Sequence, residues 1–326
     1  MLYPLTFRPL FKERVWGGRK LEELYQKSLP AGAPIGESWE ISDRPGDVSV
    51  IANGPLAGKD LHWLMEQHGV ELLGNLQPQT PRFPLLIKIL DAREKLSLQV
   101  HPPAERAIEL GGEPKTELWY IAEAEPGAEL YVGLKQGVTR AAFEQKIKDG
   151  SVADCFHRVL VHAGDAMFLP SGRVHAIGKG LVIFEIQQNS DTTYRVFDWN
   201  RLGLDGKPRP LHQRESLASI DFTDFQPGLV PAGFVVEASG KRRILAANSL
   251  FTVEECELAA GRSRGKALGT MQVIATVYGN LEIRGANQII SLSPGFFCLL
   301  PASTNDVQII ANQTSRFLAI QAGAGG

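Results

Sequence analysis

A repeated pattern of glycine, apolar residues and proline constrains the fold more than any other feature of this sequence. Both GDAMFLP (164–170) and GFFCLLP (295–301) consist of a Gly, five mostly apolar residues and a Pro. Each copy leads through a polar turn into a further apolar segment. A supersecondary pattern that occurs twice in one chain indicates two related β-domains.

The rest of the sequence indicates many short strands and few helices. Short apolar or alternating runs bounded by Gly, Pro, Asn or Asp predict strands, as in PLLIKIL (84–90), ELWYIAEA (117–124), GLVIFEIQ (180–187), QVIATVYG (272–279) and RFLAIQAG (316–323). Helical signals are limited to 18–26, 58–68, 103–110, 139–149 and 211–220. We therefore predict a mainly β protein made of jelly-roll sandwiches or barrels with a few short helices.

A Pro- and Gly-rich stretch separates the two predicted domains. The segment 208–233 passes from a short helical signal into this stretch. We predict a first domain at 1–220, a linker at 221–240 and a second domain at 241–326. Five positions after the proline, the first copy has His175 whereas the second has Asp306. Chemistry is therefore expected in the first domain only.

Composition and charge exclude several classes of partner. The formal net charge is -2, and no run of Lys or Arg resembles a nucleic-acid or membrane-surface footprint. No apolar run is long enough to span a bilayer, and the N-terminus lacks the apolar core of a secretory signal. The three cysteines are far apart, which argues against a disulfide framework or a thiolate zinc site. We expect a soluble, cytoplasmic protein whose oligomeric state leaves no readable trace.

Polar residues interrupt the apolar run LSLQVHPP at 96–103. Gln99 and His101 are two residues apart, so they point to the same face of a strand, and the prolines end that strand. His175 lies in GDAMFLPSGRVHAIGK, where the spacing predicts a strand, a tight turn and a second strand that starts at the histidine. This pattern resembles the second conserved motif of cupins, in which the histidine is a metal ligand. Lys179 stands where that motif usually has Asn.

A carboxylate completes the candidate metal site. Glu117 begins an apolar strand, where a buried charge costs several kcal/mol unless it has a partner such as a metal ion. Two imidazoles, a carboxylate and an amide oxygen form an open ligand set that suits zinc, and iron, manganese or cobalt would also bind to these ligands. In the alternative interpretation, the four residues cap strands independently.

Longer motifs resemble a known enzyme family. They are ERVWGGRKL (13–21), GESWEISD (36–43), LLIKILDAREKLSLQVHP (85–102), GEPKTELWYI (112–121), PSGRVHAIGKGLVIFEIQQNSDTTYRVFDWNR (170–201) and GKPRPLH (206–212). Over 7–220 the chain resembles the type I mannose-6-phosphate isomerases (phosphomannose isomerases) of the cupin superfamily, and more weakly beyond. Its length is similar to that of the compact bacterial branch, which lacks a large helical insert. The resemblance implies two cupin-type jelly-roll domains, the second without metal.

The resemblance also implies roles for particular residues. The implied ligands of one Zn²⁺ per chain are Gln99, His101, Glu117 and His175. Ser97 and Lys115 are implied to contact the sugar phosphate, Arg195 to be the catalytic arginine, and Glu185 and Asp191 to be further active-site acids. Lys115 is also a candidate catalytic residue.

The implied reaction interconverts D-mannose 6-phosphate and D-fructose 6-phosphate through an enediolate, by proton transfer between C1 and C2. The residue that carries the proton stays open among Glu185, Asp191, Lys115, His101 and a metal-bound water. Lys88 and Arg93 are further candidates for phosphate binding.

The sequence also leaves two other functions open. One is a non-catalytic cupin that binds a sugar phosphate, against which the proton-transfer set Arg195, Lys115 and Glu185 argues. The other is an iron-dependent oxygenase, whose metal shell usually contains more histidine and no glutamine. An oxygen-consumption assay separates the oxygenase from the isomerase.

Overall fold

The computed structural model describes residues 2–76 and 80–323 and is mainly β. The helices are α1 (Lys20–Tyr25), α2 (Leu61–Leu73), α3 (Ala104–Ala107), α4 (Arg140–Asp149) and α5 (Gln213–Ser219), with a short 3₁₀ helix at Val152–Cys155. These positions confirm the predicted helical ranges. Helix α2 runs beyond its predicted end because helical backbone resumes after a kink at His68. No helix in the described ranges is long and apolar enough to cross a membrane.

The strands follow one another closely, as the sequence predicts. Up to residue 197 they are β1 (Phe7–Arg8), β2 (Leu10–Gly18), β3 (Ile35–Ile41), β4 (Asp43–Arg44), β5 (Asp47–Val48), β6 (Val50–Ile51), β7 (Leu85–Ala92), β8 (Leu98–Val100), β9 (Glu117–Ala124), β10 (Glu129–Leu134), β11 (Phe156–Leu160), β12 (Ala166–Leu169), β13 (His175–Ile177), β14 (Leu181–Gln188) and β15 (Tyr194–Phe197). After residue 234 they are β16 (Val235–Glu237), β17 (Gly240–Ala247), β18 (Phe251–Leu258), β19 (Ser263–Gly265), β20 (Gln272–Tyr278), β21 (Leu281–Gly285), β22 (Gln288–Leu292), β23 (Phe297–Leu300), β24 (Gln308–Ala311) and β25 (Ser315–Ala322).

Eleven of the strands before residue 198 form an antiparallel sandwich that carries the predicted site residues, and β1-β6 and β4-β5 form separate two-stranded sheets. A six-stranded sheet, β12-β9-β14-β7-β3-β2, packs against a five-stranded sheet, β11-β10-β13-β8-β15. Trp119 and Ile121 of the first sheet share an apolar core with Val132 and Ile177 of the second. Strand β13 begins at His175, as the Gly-x5-Pro spacing predicts.

The strands after residue 234 form a second sandwich with an apolar interior. Its sheets are β16-β17-β18-β25-β20-β23 and β19-β24-β21-β22. The core between them consists of buried aliphatic and aromatic residues and two cysteines, including Cys256, Ile283 and Phe317. Two jelly-roll sandwiches therefore account for the internal repeat in the sequence.

The two sandwiches share one cluster of buried apolar residues. Leu5 pairs with Leu299 of the second sandwich, and the Tyr120 hydroxyl donates to Glu255 Oε1 at 2.9 Å. Strand β16 lies inside the predicted linker, 221–240, and pairs with β17. The division at 220 and 240 stays a prediction.

Asp91 at the end of β7 caps α1 from outside the helix. Its Oδ2 accepts a hydrogen bond from the Lys20 backbone N–H at 2.7 Å, whereas the N-cap side chain makes no such bond. Burial raises the pKa of Asp91 to about 6, although the bond from Lys20 acts in the opposite direction. A carboxyl group of this kind binds its proton more tightly in the folded chain.

Replacing Asp91 by asparagine is expected to change how stability depends on pH. Because its folded pKa is raised, the wild-type group lowers the free energy of unfolding as pH rises from about 4 to about 6. Asp91→Asn removes this titration. The melting temperature, measured by calorimetry, should therefore depend less on pH over that interval. Asp165→Asn, at a partly exposed carboxylate that also accepts a backbone N–H, is the control. An unchanged pH dependence in Asp91→Asn would contradict the prediction.

Candidate active site

Strand pairing brings the four predicted metal ligands together from both sheets of the first sandwich. On the five-stranded sheet, Gln99 of β8 lies opposite His175 of β13, and His101 directly follows β8. Glu117 is the first residue of β9 on the six-stranded sheet. Residues far apart in the sequence thus converge at one buried place.

The ligand atoms are close enough to share one ion. His101 Nε2 lies 3.2 Å from Glu117 Oε1, and His175 Nε2 lies 3.7 Å from Glu117 Oε2. One ligand atom from each of these residues falls within 4.8 Å of the others, and all three residues are buried. The amide nitrogen of Gln99, Nε2, lies 3.3 Å from His175 Nε2. Rotating the amide by half a turn exchanges its nitrogen and oxygen and brings the oxygen to the same place.

Backbone carbonyls fix the orientation of both imidazoles. His101 Nδ1 lies 2.8 Å from the Thr192 carbonyl oxygen, and His175 Nδ1 lies 2.9 Å from that of Arg173. A carbonyl oxygen only accepts, so each Nδ1 carries the hydrogen and each Nε2 presents a lone pair to the cluster. This arrangement is the usual one for histidines that bind a metal through Nε2.

Charges and burial favour the ligating protonation states. Burial lowers the pKa of His175 to about 3 and also lowers that of His101, which keeps both imidazoles neutral. Burial alone would raise the pKa of Glu117, but the Lys115 ammonium outweighs it, and the pKa lies well below its usual range. Neutral histidine and ionised carboxylate are the forms that bind metals.

The site fits a cation because its lone pairs face one another. His101 Nε2 and Glu117 Oε2 are buried and have no hydrogen-bond partner among the described residues. A neutral imidazole lone pair directed at a carboxylate is unfavourable in a buried place unless positive charge lies between them. The donor set of this cluster therefore suits a divalent metal.

A cavity of about 560 Å³ adjoins the cluster and is lined by many charged groups. The predicted residues that line it are Ser97, Gln99, Lys115, Glu185, Asp191 and Arg195. Lys88 lines it as well, whereas Arg93 is exposed and is not among its lining residues. The structure thus brings the predicted residues to one cavity and places Lys88, but not Arg93, in its lining.

Lysines and glutamates alternate along the floor of the cavity. Lys115 Nζ lies 2.7 Å from Glu117 Oε1 and 3.9 Å from Glu185 Oε1, and Lys88 Nζ lies 3.6 Å from that same Glu185 oxygen. Burial alone would lower the pKa of Lys115, but Glu117 and Glu185 raise it instead. Burial raises the pKa of Glu185 to about 7, and the Glu117 charge acts in the same direction.

Glu37 and Arg14 extend this row and were not among the predicted site residues. Lys88 Nζ lies 3.8 Å from Glu37 Oε2, and Arg14 Nε donates to Glu37 Oε1 at 2.6 Å. Burial would raise the pKa of Glu37, but Lys88 and Arg14 lower it to about 2. In the sequence, Glu37 stands in the motif GESWEISD, and the structure shows that this motif overlaps a strand, β3, that is buried at every position. A buried charge in a strand requires a partner, which the sequence alone does not identify.

Arg195 and Asp191 occupy different depths of the cavity wall. Arg195 lies opposite Gln99 in the pairing of β15 with β8, and its Nη1 donates to the Pro210 carbonyl at 2.8 Å. Its Nε is buried and has no hydrogen-bond partner in the described part of the chain. Asp191 is exposed, on the loop before β15. Arg195 is therefore the better placed of the two to meet charge that develops inside the cavity.

Comparison with known proteins identifies the family. Residues 5–143 match the family model for phosphomannose isomerase type I, catalytic domain. The mannose-6-phosphate isomerase of Streptococcus mutans is 33% identical over 322 residues, which cover 97% of this chain and 99% of that protein. The chain belongs to the type I phosphomannose isomerases. Mannose-6-phosphate isomerase ManA of Bacillus subtilis is 43% identical over 67% of this chain and 68% of its own length.

Solved structures of phosphomannose isomerases share the fold. The crystal structure of the mannose 6-phosphate isomerase from Bacillus subtilis has a TM-score of 0.89 and 30% identity, covering 98% of this chain and 100% of that chain. A mannose 6-phosphate isomerase bound with zinc and yttrium has a TM-score of 0.76 at 17% identity, covering 99% and 100%. The predicted type I phosphomannose isomerase family and its mainly β cupin-type fold are confirmed.

Proposed function

We propose that this chain is a zinc-dependent aldose-ketose isomerase that interconverts D-mannose 6-phosphate and D-fructose 6-phosphate. The observation that carries the proposal is a buried His-Glu-His cluster, with ligand atoms within 4.8 Å, beside a cavity lined by acids and cations. Relatives named mannose-6-phosphate isomerase support the substrate assignment. The cytoplasmic location and the absence of nucleic-acid partners stay predictions.

Gln99, His101, Glu117 and His175 would hold the zinc ion. Mixed nitrogen and oxygen ligands around an open position are typical of catalytic zinc, and a fold relative was solved with zinc. When bound, the ion supplies positive charge for the oxyanion that develops as the sugar passes through an enediolate.

Glu185 is proposed to move the proton between C1 and C2 of the sugar. It is buried, lines the cavity and has a pKa of about 7, which allows it to take up and release a proton near neutral pH. Lys115 is held by Glu117 and serves better as a fixed cation. Asp191, an exposed acid of the lining, stays a candidate catalytic residue.

Substrate orientation is assigned to the polar groups beside the cluster. Ser97 and Lys115 both line the cavity and lie next to metal ligands, at 3.4 Å from Gln99 and 2.7 Å from Glu117. A hydroxyl and an ammonium at these places suit a sugar hydroxyl or a phosphate oxygen. The phosphate should therefore contribute to rate as well as to affinity, because its binding orients the sugar.

An assay of the purified protein with mannose 6-phosphate tests the proposal. Formation of fructose 6-phosphate is followed in a coupled assay before chelator treatment, after it, and after zinc is restored. Activity should disappear with the metal and return with it. A protein that binds one zinc ion per chain and the sugar phosphate without forming fructose 6-phosphate would instead be a non-catalytic binding cupin.

Replacing Arg195 by alanine is expected to lower turnover while zinc stays bound. Its guanidinium lines the cavity and has a buried Nε without a partner in the described chain, so it is free to stabilise a developing oxyanion. Loss of one such donor lowers kcat by about 10²- to 10³-fold. Zinc content is measured alongside kcat, and Arg140→Ala on the exposed face of α4 is the control. Normal turnover of Arg195→Ala would remove Arg195 from the mechanism.

A further inference from the structure

The orientation of His175 depends on one backbone carbonyl. His175 Nδ1 donates to the Arg173 carbonyl oxygen at 2.9 Å, which directs Nε2 towards Glu117. Any movement of that carbonyl would turn the imidazole or break its hydrogen bond. What holds Arg173 in place therefore affects how the histidine meets a metal ion.

The side chain of Arg173 folds back and holds the turn before His175 in one conformation. Nε and Nη2 donate to the two carboxylate oxygens of Asp224, both at 2.8 Å. Nη1 donates to the Phe168 carbonyl at 2.7 Å, so every guanidinium nitrogen has a partner. The turn itself requires Gly172, whose φ of +89° lies in the left-handed region. A two-bond pair between arginine and carboxylate restricts direction as well as distance.

Asp224 comes from the segment that follows the last helix, and that segment is itself fixed to the first sandwich. Asp221 N–H donates to the Gly172 carbonyl at 2.9 Å. Leu134 N–H donates to the Asp224 carbonyl at 2.9 Å, and Leu134 ends the strand whose Val132 pairs with His175. The segment thus joins the turn before His175 to the end of the neighbouring strand.

The second copy of the Gly-x5-Pro pattern has neither the histidine nor the arginine. Three positions after the proline, the first copy has Arg173 and the second has Thr304, whose hydroxyl donates to the Leu2 carbonyl. Within this chain, the arginine occurs only in the copy that carries the metal-ligand candidate. If the fold itself required an arginine at this turn, both copies would have one.

We propose that Arg173 and Asp224 are positioning residues for His175, holding its imidazole in the direction that a metal ion requires. The pair does not contact the metal. It acts through the Arg173 carbonyl, and it gives the segment after α5 a function in retaining the ion. The proposal rests on the metal site proposed above.

Zinc release from Asp224 variants tests the pair. Zinc-loaded wild-type protein, Asp224→Ala and Asp224→Asn are mixed with an excess of a chromogenic chelator, and the release of zinc is followed by absorbance. We expect release about 10-fold faster for Asp224→Ala, the lower end of the 10- to 100-fold effect of outer-shell changes on metal affinity. Asp224→Asn, which keeps one acceptor oxygen, should release zinc at a rate between those of the wild type and Asp224→Ala. Glu129→Gln, which breaks the two-bond pair with Arg158 in the same sandwich, should release zinc at the wild-type rate.

A proton signal separates positioning from a general loss of stability. In the zinc-loaded protein, the His175 Nδ1–H should exchange with water faster in the Asp224 variants, whereas that of His101, anchored on Thr192, should not change. If Asp224→Ala does not fold, Asp224→Asn decides alone. If a folded Asp224 variant releases zinc and exchanges the His175 Nδ1–H at the wild-type rates, the proposed positioning role of Arg173 and Asp224 is wrong. A wild-type protein that binds no zinc would overturn the metal site as well.

Discussion

Replacing His175 by alanine is expected to remove zinc and isomerase activity together. The variant leaves Gln99, His101 and Glu117, and Glu117 Oε2 then loses the imidazole that lies 3.7 Å away. Without the ion, the developing oxyanion loses several kcal/mol of stabilisation, so kcat should fall by about 10³-fold or more. Zinc per chain, measured by atomic absorption, should fall from one to nearly zero.

The control for this variant is another histidine of the same sandwich. His162 is 87% exposed, and His162→Ala should keep both zinc and activity. Melting temperatures of the metal-free proteins show whether each variant is folded. Full activity of a folded His175→Ala protein would contradict the metal site.

Replacing Glu185 by glutamine is expected to lower kcat by about 10²- to 10⁴-fold, the usual contribution of a general acid or base. The amide keeps the shape of the side chain but carries no proton between carbons. Because the ionised carboxylate is the base and burial raises its pKa above the ordinary range of a glutamate, wild-type activity should rise with pH as Glu185 loses its proton. The residual activity of Glu185→Gln should lack this rise, as seen in kcat/KM measured over a range of pH.

Glu123→Gln provides the matched control. Glu123 lies on β9, the strand beside β14, but its side chain is exposed. Its kcat and pH profile should equal those of the wild type. Zinc content should be normal in both variants, because neither residue is a proposed ligand. A Glu185→Gln enzyme with wild-type kcat would assign proton transfer to another group, and Asp191 would be the next candidate.

Local sequence patterns predicted the architecture because they depend on neighbouring residues. The Gly-x5-Pro repeat predicted two related sandwiches, and its spacing placed the start of β13 at His175. Alternation along a strand put Gln99 and His101 on one face. The buried charge of Glu117 at the start of an apolar strand indicated a partner. Each of these inferences uses the period of a strand or the geometry of one turn.

The roles of Ser97, Lys115, Glu185, Asp191 and Arg195 came from the family resemblance rather than from spacing. The structure brings all five residues to one cavity, but they differ in how deeply they are buried. Lys115 and Glu185 are buried, whereas Asp191 is exposed. No local pattern in the sequence distinguishes these depths, because burial depends on which strands become neighbours.

By itself, the sequence determined the strands, the repeat, the position of the tight turn and the residue types that a metal would need. Only the tertiary structure decided which distant charges meet. It brought Lys88 between Glu37 and Glu185, and it brought Asp224 to Arg173. The physical reason is that strand register and domain packing set these contacts, and both depend on the whole core rather than on any short segment.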